Sequence, residues 1–362
     1  MTTLDDLRAK LAKAWPFQTL PPLHWAGQRP THADASPAVI RSALQRSARR
    51  PSGNWYVLGA SRAVTARKPF AGRVAGKELV AWRDSRGALR VGPGECPHLG
   101  ADLSTGRTEC GALICPWHGL RLTGDRQAGW RPHPGYDDGV LVWVRLDDVG
   151  GETPTDRPVI VHRPPSPVIA AVAHLEGICE PADIIANRLD PWHGSWFHPY
   201  SFARLDVLRA PPATPDLPDE RDYLTVAVTF RMGRLGVPVT TEFFSPEPRT
   251  ILMRIVDGEG SGSVVETHAT PLGTGPDGLP RTAVIEAVIA HSDRDGFGHA
   301  TRAAAVLTPF MRYLAGRLWR DDLAYAERLF ELRRRRTELS VSAPAPEARH
   351  ARAAESVRPP TG

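Results

Sequence analysis

The spacing of hydrophobic and polar positions changes several times along the chain and divides it into segments. Between Asn54 and Arg145, short runs rich in Val, Leu and Trp alternate with Gly, Asp and Pro. Runs of this length between turn residues are typical of β-strands. The segment therefore predicts a small all-β module, whose strands would be WYVLGAS, ELVAWRD, ALRVG and VLVWVRLD.

Longer apolar runs follow in the second half of the chain. In YLTVAVTFRM, every second position is apolar (Leu224, Val226, Val228 and Phe230), so these side chains would share one face of a strand. Three further runs have the composition of strands and predict an antiparallel sheet: RTILMRIV, SVVETHAT and TAVIEAVIA.

Two helical regions flank this predicted sheet. Helical signals occur around residues 180–198, and the pattern over residues 301–336 predicts a helix that breaks or bends near Arg320 and Asp321. We therefore expect an α+β fold class, in which the β module comes first and the antiparallel sheet is followed by C-terminal helices.

The two ends of the chain have other patterns. Leu4 to Trp15 is typical of a short amphipathic helix, PFQTLPPLHW of a proline-rich linker, and Ser36 to Arg49 of a second helix. The tail is rich in Pro, Ala and Arg and has no core pattern, which predicts disorder. The predicted plan is an extension at 1–50, the β module at 51–150, an α+β unit at 151–340 and a disordered tail at 341–362.

Composition narrows the class of protein. With 362 residues, 41% of them apolar and 23% charged, the chain is typical of a soluble protein of two domains. It has no apolar run of about eighteen residues, so no membrane span is expected. The start, MTTLDDLRAKLAKAW, is unlike a secretory signal, so we expect a cytoplasmic protein. The net charge of +5 accompanies no nucleic-acid-binding motif, and we expect no nucleic-acid partner.

Two of the four cysteines stand beside histidines, in Cys96-Pro-His98 and in Cys115-Pro-Trp-His118. Two loops of this kind can present two thiolates to one iron of a [2Fe-2S] cluster and two imidazoles to the other iron. A glycine within two residues of each histidine allows a tight turn there. The same residues would also suit a Cys2His2 zinc site, which is the alternative. Cys110 matches neither motif and is predicted to be a buried free thiol.

A second candidate site lies in the stretch from Asp190 through His193 to His198. Two histidines and a carboxylate, with the other positions open, suit non-haem Fe(II) that must bind dioxygen. On a regular helix, side chains five residues apart point about 140° apart. The histidines would converge only if the helix bends or ends between them, and Gly194 and Pro199 favour that. The alternative is a pair of core or surface histidines in an aromatic-rich helix.

Together the two motifs resemble those of the Rieske non-haem iron oxygenase family, in its oxygenase component of alpha-subunit type. CPHLG and CPWHG resemble the cluster loops, over roughly residues 53–148, and Asp190 to His198 resembles the D-x2-H-x4-H motif. Respiratory Rieske proteins are less similar, because Ala101 and Trp117 stand where those proteins have a disulfide. The resemblance implies an N-terminal all-β Rieske [2Fe-2S] domain followed by an α+β catalytic domain of the helix-grip type.

The resemblance also implies residue roles. The cluster ligands would be the four motif residues Cys96, His98, Cys115 and His118. His193 and His198 would bind a mononuclear Fe(II). Asp190 would link that iron to a cluster histidine of the neighbouring subunit.

The third iron ligand in this family is an Asp from a late helix, and two adjacent residues are candidates for it here. On a helix, Asp322 would lie on an apolar face, whereas Asp321 would lie among arginines on the solvated face. A carboxylate on an apolar face is costly unless it is paired or binds a metal. Asp322 is therefore the predicted ligand, with Asp321 as the alternative.

The implied function is an oxygenase that activates dioxygen and hydroxylates, demethylates or desaturates an apolar substrate, whether isoprenoid, steroid-like or aromatic. The implied partners are an external reductase, with or without a ferredoxin, and two further copies of the chain in a homotrimer. The apolar strand residues favour such a substrate but would serve equally as core: Ile251, Met253, Val264, Val284 and Val288. The alternative function is a Rieske electron-transfer or regulatory protein without oxygenase activity.

Overall fold

The computed structural model of the chain describes residues 16–22, 28–127 and 129–342. The predicted helix over Leu4 to Trp15, and nearly all of the predicted disordered tail, lie outside these residues. The first described elements are strand β1 (Gln18–Thr19) and helix α1 (Pro37–Ser47). Proline at the first turn of α1 costs no hydrogen bond, because the N–H there has no partner within the helix.

The β module is built from short antiparallel strands in three three-stranded sheets, ordered β2-β10-β9, β3-β4-β5 and β6-β7-β8. The strands are β2 (Trp55–Ala60), β3 (Phe70–Val74), β4 (Lys77–Arg83), β5 (Leu89–Pro93), β6 (Arg107–Glu109), β7 (Ala112–Ile114), β8 (Arg121–Leu122), β9 (Gly135–Asp137) and β10 (Leu141–Arg145). The predicted all-β character of this part of the chain is confirmed.

The prediction that Cys110 is a buried thiol is wrong. Cys110 and Gly111 form the two-residue turn between β6 and β7, and both have positive φ, 48° and 77°. Two successive residues with positive φ characterise the type I′ turns that join antiparallel strands. The side chain of Cys110 is exposed at the tip of this hairpin.

The second half of the chain forms an eight-stranded antiparallel sheet, in the order β11-β17-β16-β15-β14-β13-β12, with β1 paired to β14. Its elements are α2 (Asp147–Gly150), β11 (Ile169–Gly177), α3 (Pro181–Arg188), α4 (Gly194–Phe197), β12 (Phe202–Arg209), β13 (Leu224–Met232), β14 (Leu235–Glu247), β15 (Thr250–Gly258), β16 (Val264–Thr274), β17 (Pro280–Ala290), α5 (Phe297–Arg302) and α6 (Ala304–Ser342). The α+β class is confirmed.

Both faces of this sheet are covered. On one face, Trp55 and Trp143 of the β module pack with Ile285 of β17. On the other face, Val284 packs with Trp319 of α6, together with residues of α1 and α3. A strand buried on both sides has a continuous apolar run instead of alternation, which explains the TAVIEAVIA segment of β17. Val284 is therefore a core residue.

Helix α6 carries one of the predicted ligands and differs from its prediction. It is continuous through Arg320 and Asp321, and the interruption lies earlier, at Ala303 between α5 and α6. The nearest glycine, Gly316, lies within the helix, and no proline follows Pro309 before the helix ends, so the backbone hydrogen bonds continue past residue 320. The helix packs mainly on β11 and α3. In the described part of the chain, no helix combines the length and apolarity needed to cross a bilayer.

Candidate metal centres

The two predicted cluster loops of the β module have the same backbone geometry. The N–H of Gly100 donates to the carbonyl of Cys96 at 2.9 Å, and the N–H of Gly119 donates to the carbonyl of Cys115 at 3.1 Å. Both glycines have positive φ, 77° and 72°, which a residue with a Cβ adopts only with strain. Each loop is thus a tight turn that begins at a cysteine.

The loops bring like side chains together. Cys96 and Cys115 are buried in one apolar cluster that includes Trp82, and they lie close enough for each to shift the pKa of the other. The rings of His98 and His118 are exposed, with centroids 4.9 Å apart. Two sulfurs on the inner side and two imidazoles on the outer side fit the two irons of a Rieske-type [2Fe-2S] cluster.

Backbone amides surround the two sulfurs. Burial raises the pKa of the Cys96 thiol, although backbone N–H groups after it oppose this rise. Burial would also raise the pKa of Cys115, but the N–H of Trp117, the side chain of Cys96 and the N–H of His118 together outweigh burial and lower it. Such N–H groups stabilise thiolate, the form that binds iron.

The second candidate site lies where α3, α4 and α6 meet the sheet. After α3, a 3-10 turn over Pro191–His193 leads into α4, which ends at Phe197. His198 follows with φ −123°, outside helical geometry, so its ring turns back toward that of His193, 5.5 Å away. The interruption expected between the two histidines is therefore present.

Asp322 of α6 completes this group. Nitrogen or oxygen atoms of His193, His198 and Asp322 all lie within 4.8 Å of one another. Nε2 of His193 and Nε2 of His198 lie 3.2 and 2.9 Å from Oδ1 of Asp322, and Asn187 donates to the same oxygen at 3.1 Å. Asp322 is fully buried, whereas the side chain of Asp321 is 40% exposed, so the carboxylate on the apolar face is the one that joins the histidines.

A second carboxylate stands behind His193. Oδ2 of Asp190 lies 3.8 Å from Nδ1 of His193 and accepts a hydrogen bond from the hydroxyl of Tyr325 at 3.1 Å. The Tyr325 ring stacks on the ring of His193 at 5.5 Å. Carboxylates behind a histidine fix its ring orientation and raise its basicity.

His198 is supported in the same way from the other side. Its Nδ1 lies 3.6 Å from Oδ2 of Asp321 and 3.4 Å from the hydroxyl of Tyr200, and Tyr200 donates to Asp321 at 2.5 Å. The carboxylate of Asp321, the alternative ligand from the sequence, thus lies behind His198, whereas the carboxylate of Asp322 lies beside both histidines. Each of the two histidines has its own outer carboxylate.

The charges of the group favour positive charge beside Asp322. Burial would lower the pKa of His193, but Asp190 and Asp322 outweigh burial and raise it to about 9. Burial would raise the pKa of Asp322, but His193, His198 and nearby Arg188 hold it far below its usual range. The buried carboxylate is therefore ionised next to positive charge, and a divalent cation can take that place.

Unpaired buried atoms support the fit of a metal. Oδ2 of Asp322, Oδ1 of Asp190 and Nδ1 of His193 are buried without a hydrogen bond among the described residues. Two imidazoles and one carboxylate with further positions open are the donor set of non-haem Fe(II) sites. The residues present fit such an ion. The assignments of all eight predicted site residues to metal binding or electron transfer nevertheless stay predictions, which iron analysis can test.

Two neighbouring cavities with mostly apolar walls lie at or near this group. A cavity of about 40 Å³ touches His193 and His198, and a larger one of about 410 Å³ lies between the sheet and α6. The two share wall residues, namely Arg188, Phe202, Phe230, Phe243 and Met253. Of the apolar residues predicted to face a substrate, four line the larger cavity (Ile251, Met253, Val264 and Val288) and Val284 does not.

Sequence reasoning missed two residues of the site. Tyr325 contacts both Asp190 and His193, and it lies three residues after Asp322, on the same helix face. That spacing was a usable signal. Tyr200 contacts His198 and Asp321, but no spacing relates it to α6, so only the fold brings it there.

Comparison with protein families places both halves of the chain. The family described as the Rieske [2Fe-2S] domain matches residues 54–138. A family described as a domain of unknown function (DUF5914) matches residues 149–337, which is more than half of the chain. The chain belongs to the DUF5914 family. This DUF5914 protein thus carries the expected [2Fe-2S] domain ahead of its family domain.

Several curated proteins are similar to parts of the DUF5914 protein. It is 39% identical over 71 residues to the oxygenase component of 3-ketosteroid-9-alpha-monooxygenase from Rhodococcus rhodochrous, covering 20% of this chain and 19% of that protein. It is 27% identical over 180 residues to the vanillate O-demethylase oxygenase subunit from a Pseudomonas species, covering 45% and 49%. The chain thus spans less than half of the length of these relatives. The predicted resemblance to oxygenase components of Rieske systems is confirmed.

A solved structure is similar over most of the DUF5914 protein. The crystal structure of dicamba monooxygenase bound to dicamba superposes with a TM-score of 0.59 at 19% sequence identity, covering 82% of this chain and 92% of that one. At this identity the likeness shows the fold, which agrees with the expected Rieske domain, antiparallel sheet and C-terminal helices.

Proposed function

We propose that this DUF5914 protein is a Rieske-type oxygenase that oxidises an apolar organic molecule. One observation carries the proposal: His193, His198 and Asp322 converge, and the two histidines line a small apolar cavity, in a chain that also has a Rieske [2Fe-2S] domain. The names of its relatives, which include a steroid monooxygenase and an O-demethylase, support the same reaction class.

Each part of the site would have a task. His193, His198 and Asp322 would hold a mononuclear Fe(II), which when bound supplies the activation of dioxygen. Asp190 and Asp321 would keep the two imidazole rings oriented from behind. The apolar walls of the cavities would exclude water and place a substrate C–H bond at the inner end.

Electron delivery would use the exposed side of the cluster loops. His98 and His118 are exposed there, next to Leu99 and Trp117, which are 63% and 61% exposed. In the described residues, no hydrogen bond or ring contact joins these histidines to Asp190. We therefore propose that Asp190 would bridge a cluster histidine of a neighbouring copy and the iron site, as part of the electron path between two subunits of a homotrimer.

The remaining partners follow from the same scheme. An external reductase, with or without a ferredoxin, would reduce the cluster. The proposed compartment is the cytoplasm, where thiols stay reduced, because the four cysteines are free in the structure.

Iron analysis of the protein as purified, combined with the visible and electron paramagnetic resonance spectra of the cluster, tests the proposal. An oxygenase binds about three irons per chain, two in the cluster and one at the histidines. About two irons, with a normal cluster spectrum after anaerobic incubation with Fe(II), would instead identify an electron-transfer or regulatory Rieske protein.

A further inference from the structure

The wall shared by the two cavities contains a buried ion pair. Arg188, the last residue of α3, donates to Glu286 of β17, which is 3% exposed. Glu286 also accepts hydrogen bonds from Nε1 of Trp319 and, at 3.0 Å, from the hydroxyl of Thr267. The guanidinium of Arg188 lies 4.7 Å above the Trp319 ring. These contacts fix the pair on rigid elements.

The pair has hydrogen-bonding capacity that the protein does not use. Arg188 donates to Glu286 through Nη2, whereas its Nε is buried without a partner and no hydrogen bond among the described residues reaches Nη1. All three donors to Glu286 bind Oε2, so within the same residues Oε1 has no donor. A buried polar group without a partner, such as this Nε, is costly, and its persistence calls for an explanation.

The position of the pair relates it to a ligand. Arg188 lines both the small cavity at His193 and His198 and the large cavity, and Glu286 lines the large one. The other wall residues that the two cavities share are apolar, namely Phe202, Phe230, Phe243 and Met253. A molecule that extends from the large cavity toward the histidines would therefore meet Arg188 as the one polar residue of the wall that the two cavities share.

The size of the space limits the molecule. The large cavity, about 410 Å³, has room for about fourteen waters at the roughly 30 Å³ that each occupies in the liquid. It can therefore hold an organic molecule with a dozen or more non-hydrogen atoms. Cavities of this volume with a few fixed polar groups are typical of small-molecule sites.

We infer that the substrate is a large, mostly apolar and uncharged molecule whose hydroxyl group binds the Arg188–Glu286 pair. This inference rests on the proposed function for the identity of the cavity as a substrate site. The hydroxyl accepts a hydrogen bond from the guanidinium and donates one to the carboxylate, so it uses one free position on each partner. A carboxylate ligand is disfavoured, because Glu286 already neutralises Arg188 and a second anion would be buried without a counter-charge.

Three probes that share one cage skeleton test the inference: 1-adamantanol, 1-chloroadamantane and adamantane-1-carboxylate. Their binding to the full-length, cluster-loaded protein is measured by isothermal titration calorimetry without reductant or oxygen. The alcohol should bind about tenfold more tightly than either of the other two, since it alone satisfies both groups without adding charge. Equal binding of the alcohol and the chloride, or tighter binding of the carboxylate, overturns the inference.

A double variant tests whether the preference for the alcohol depends on the Arg188–Glu286 pair. Arg188→Met with Glu286→Gln removes both charges together and should bind the alcohol and the chloride within about twofold of each other. Its matched control is Arg163→Met with Glu266→Gln, a second buried ion pair in which Glu266 adjoins the cavity residue Thr267 but points to the opposite face of β16. The control should keep the tenfold preference, and loss of the preference in both variants, or in neither, contradicts the inference.

The outcome is separable from that of the proposed function. Three irons per chain without an alcohol preference overturn the inference and leave the oxygenase proposal intact. Two irons per chain with the preference remove the oxygenase while the hydroxyl-binding site stands. If the double variant does not fold, as judged by its cluster spectrum and circular dichroism, the ranking of the three probes on the unmodified protein decides.

Discussion

Asp321 and Asp322 are adjacent on α6 and have different surroundings. Asp322 is fully buried against His193 and His198, whereas the side chain of Asp321 is 40% exposed and lies behind His198 with Tyr200. Adjacent positions on a helix point about 100° apart, so Asp322 faces the buried side of the helix and Asp321 faces a more exposed side. A carboxylate beside the histidines and one behind a histidine should respond differently to substitution.

Replacing Asp322 by Ala should abolish binding of the mononuclear iron and leave the visible spectrum of the cluster unchanged. The variant removes one of the three donors and leaves two histidines, which bind Fe(II) too weakly to retain it. The matched variant Asp321→Asn should still bind this iron, with about 10- to 100-fold lower affinity. The measurement is iron content per chain after dialysis against a chelator, and full retention of iron by Asp322→Ala would exclude this ligand.

Replacing Asp190 by Asn should leave both metals bound and slow re-oxidation of the reduced cluster by roughly 10- to 100-fold. The amide keeps the shape of the side chain and its contact with Tyr325, but loses the charge that faces His193. Stopped-flow absorbance of the reduced protein mixed with oxygen and substrate reports the rate. Unchanged single-turnover kinetics would contradict the proposed bridging role.

Residues of the site differ in how far the sequence predicts them. His98, Cys115 and the other cluster residues follow from spacing within two short loops, because their geometry is local. The choice of Asp322 over Asp321 follows from helical periodicity. Tyr200 does not, because its contact with Asp321 joins segments 121 residues apart and depends on how α6 lies on the sheet.

Among the elements, the hairpin of β6 and β7 leads directly into Cys115. Its turn needs positive φ at Gly111, and a Cβ there would collide with the backbone nitrogen of Ser85. Gly87, in the turn between β4 and β5, has nearly the same φ, 78° against 77°, but a Cβ there meets no atom within 4 Å. Alanine variants at the two positions can therefore distinguish the cost of positive φ from the cost of a steric collision.

The variant Gly87→Ala should lower the free energy of unfolding by about 1–2 kcal/mol, the cost of positive φ for a residue with a Cβ. Gly111→Ala should cost about 1–3 kcal/mol more, because the collision with Ser85 is added. Urea denaturation of the cluster-loaded protein followed by circular dichroism measures both. Equal destabilisation of the two variants would show that the turn at Gly111 moves away from Ser85 without an added cost in the free energy of unfolding.

Prediction of the elements succeeded where one pattern dominates. The alternation in β13 and the apolar run of β17 both identify strands. Strand β14, from Leu235 to Glu247, was not predicted, since it contains prolines that usually mark loops. The predicted break in α6 near Arg320 was wrong because charged residues interrupt an apolar pattern without interrupting backbone hydrogen bonds.

At the scale of the whole molecule, one buried ion network joins the β module to the sheet. Arg163 pairs with Glu266 of β16 and with Asp138, which follows β9 in the β module, both at 2.7 Å. Burial would raise the pKa of Glu266, but Arg163 and His268 outweigh burial and lower it to about 2. The ionised carboxylate of Glu266 therefore stabilises the contact between the β module and the sheet.

This contribution should depend on pH. A carboxyl whose pKa is lowered in the folded state stabilises the protein fully above its ordinary pKa, near 4.5, and loses the effect as the pH falls toward 2. Glu266→Gln should thus be less stable than the unmodified protein by about 3 kcal/mol at pH 6, with a smaller difference at pH 3.5. Urea denaturation at both values measures it.

The control for this prediction is Glu259→Gln, which removes the partner of Arg294 in a pair whose side chains are 26% and 33% exposed. A pair open to solvent contributes little, so this variant should differ by less than about 1 kcal/mol at either pH. A difference for Glu266→Gln that stays constant between pH 6 and pH 3.5 would contradict the lowered pKa.

Helix α6 supplies cavity wall from Met311 to Leu318 and, one turn later, the carboxylate of Asp322. A helix is stiff along its axis, so its residues shift together when one part is displaced. A redesign of this cavity for a bulkier ligand should therefore leave α6 intact and enlarge the space from the strands, at Ile251 or Val288. Widening from the helix side would alter selectivity and iron retention at once, and selection in nature faces the same constraint.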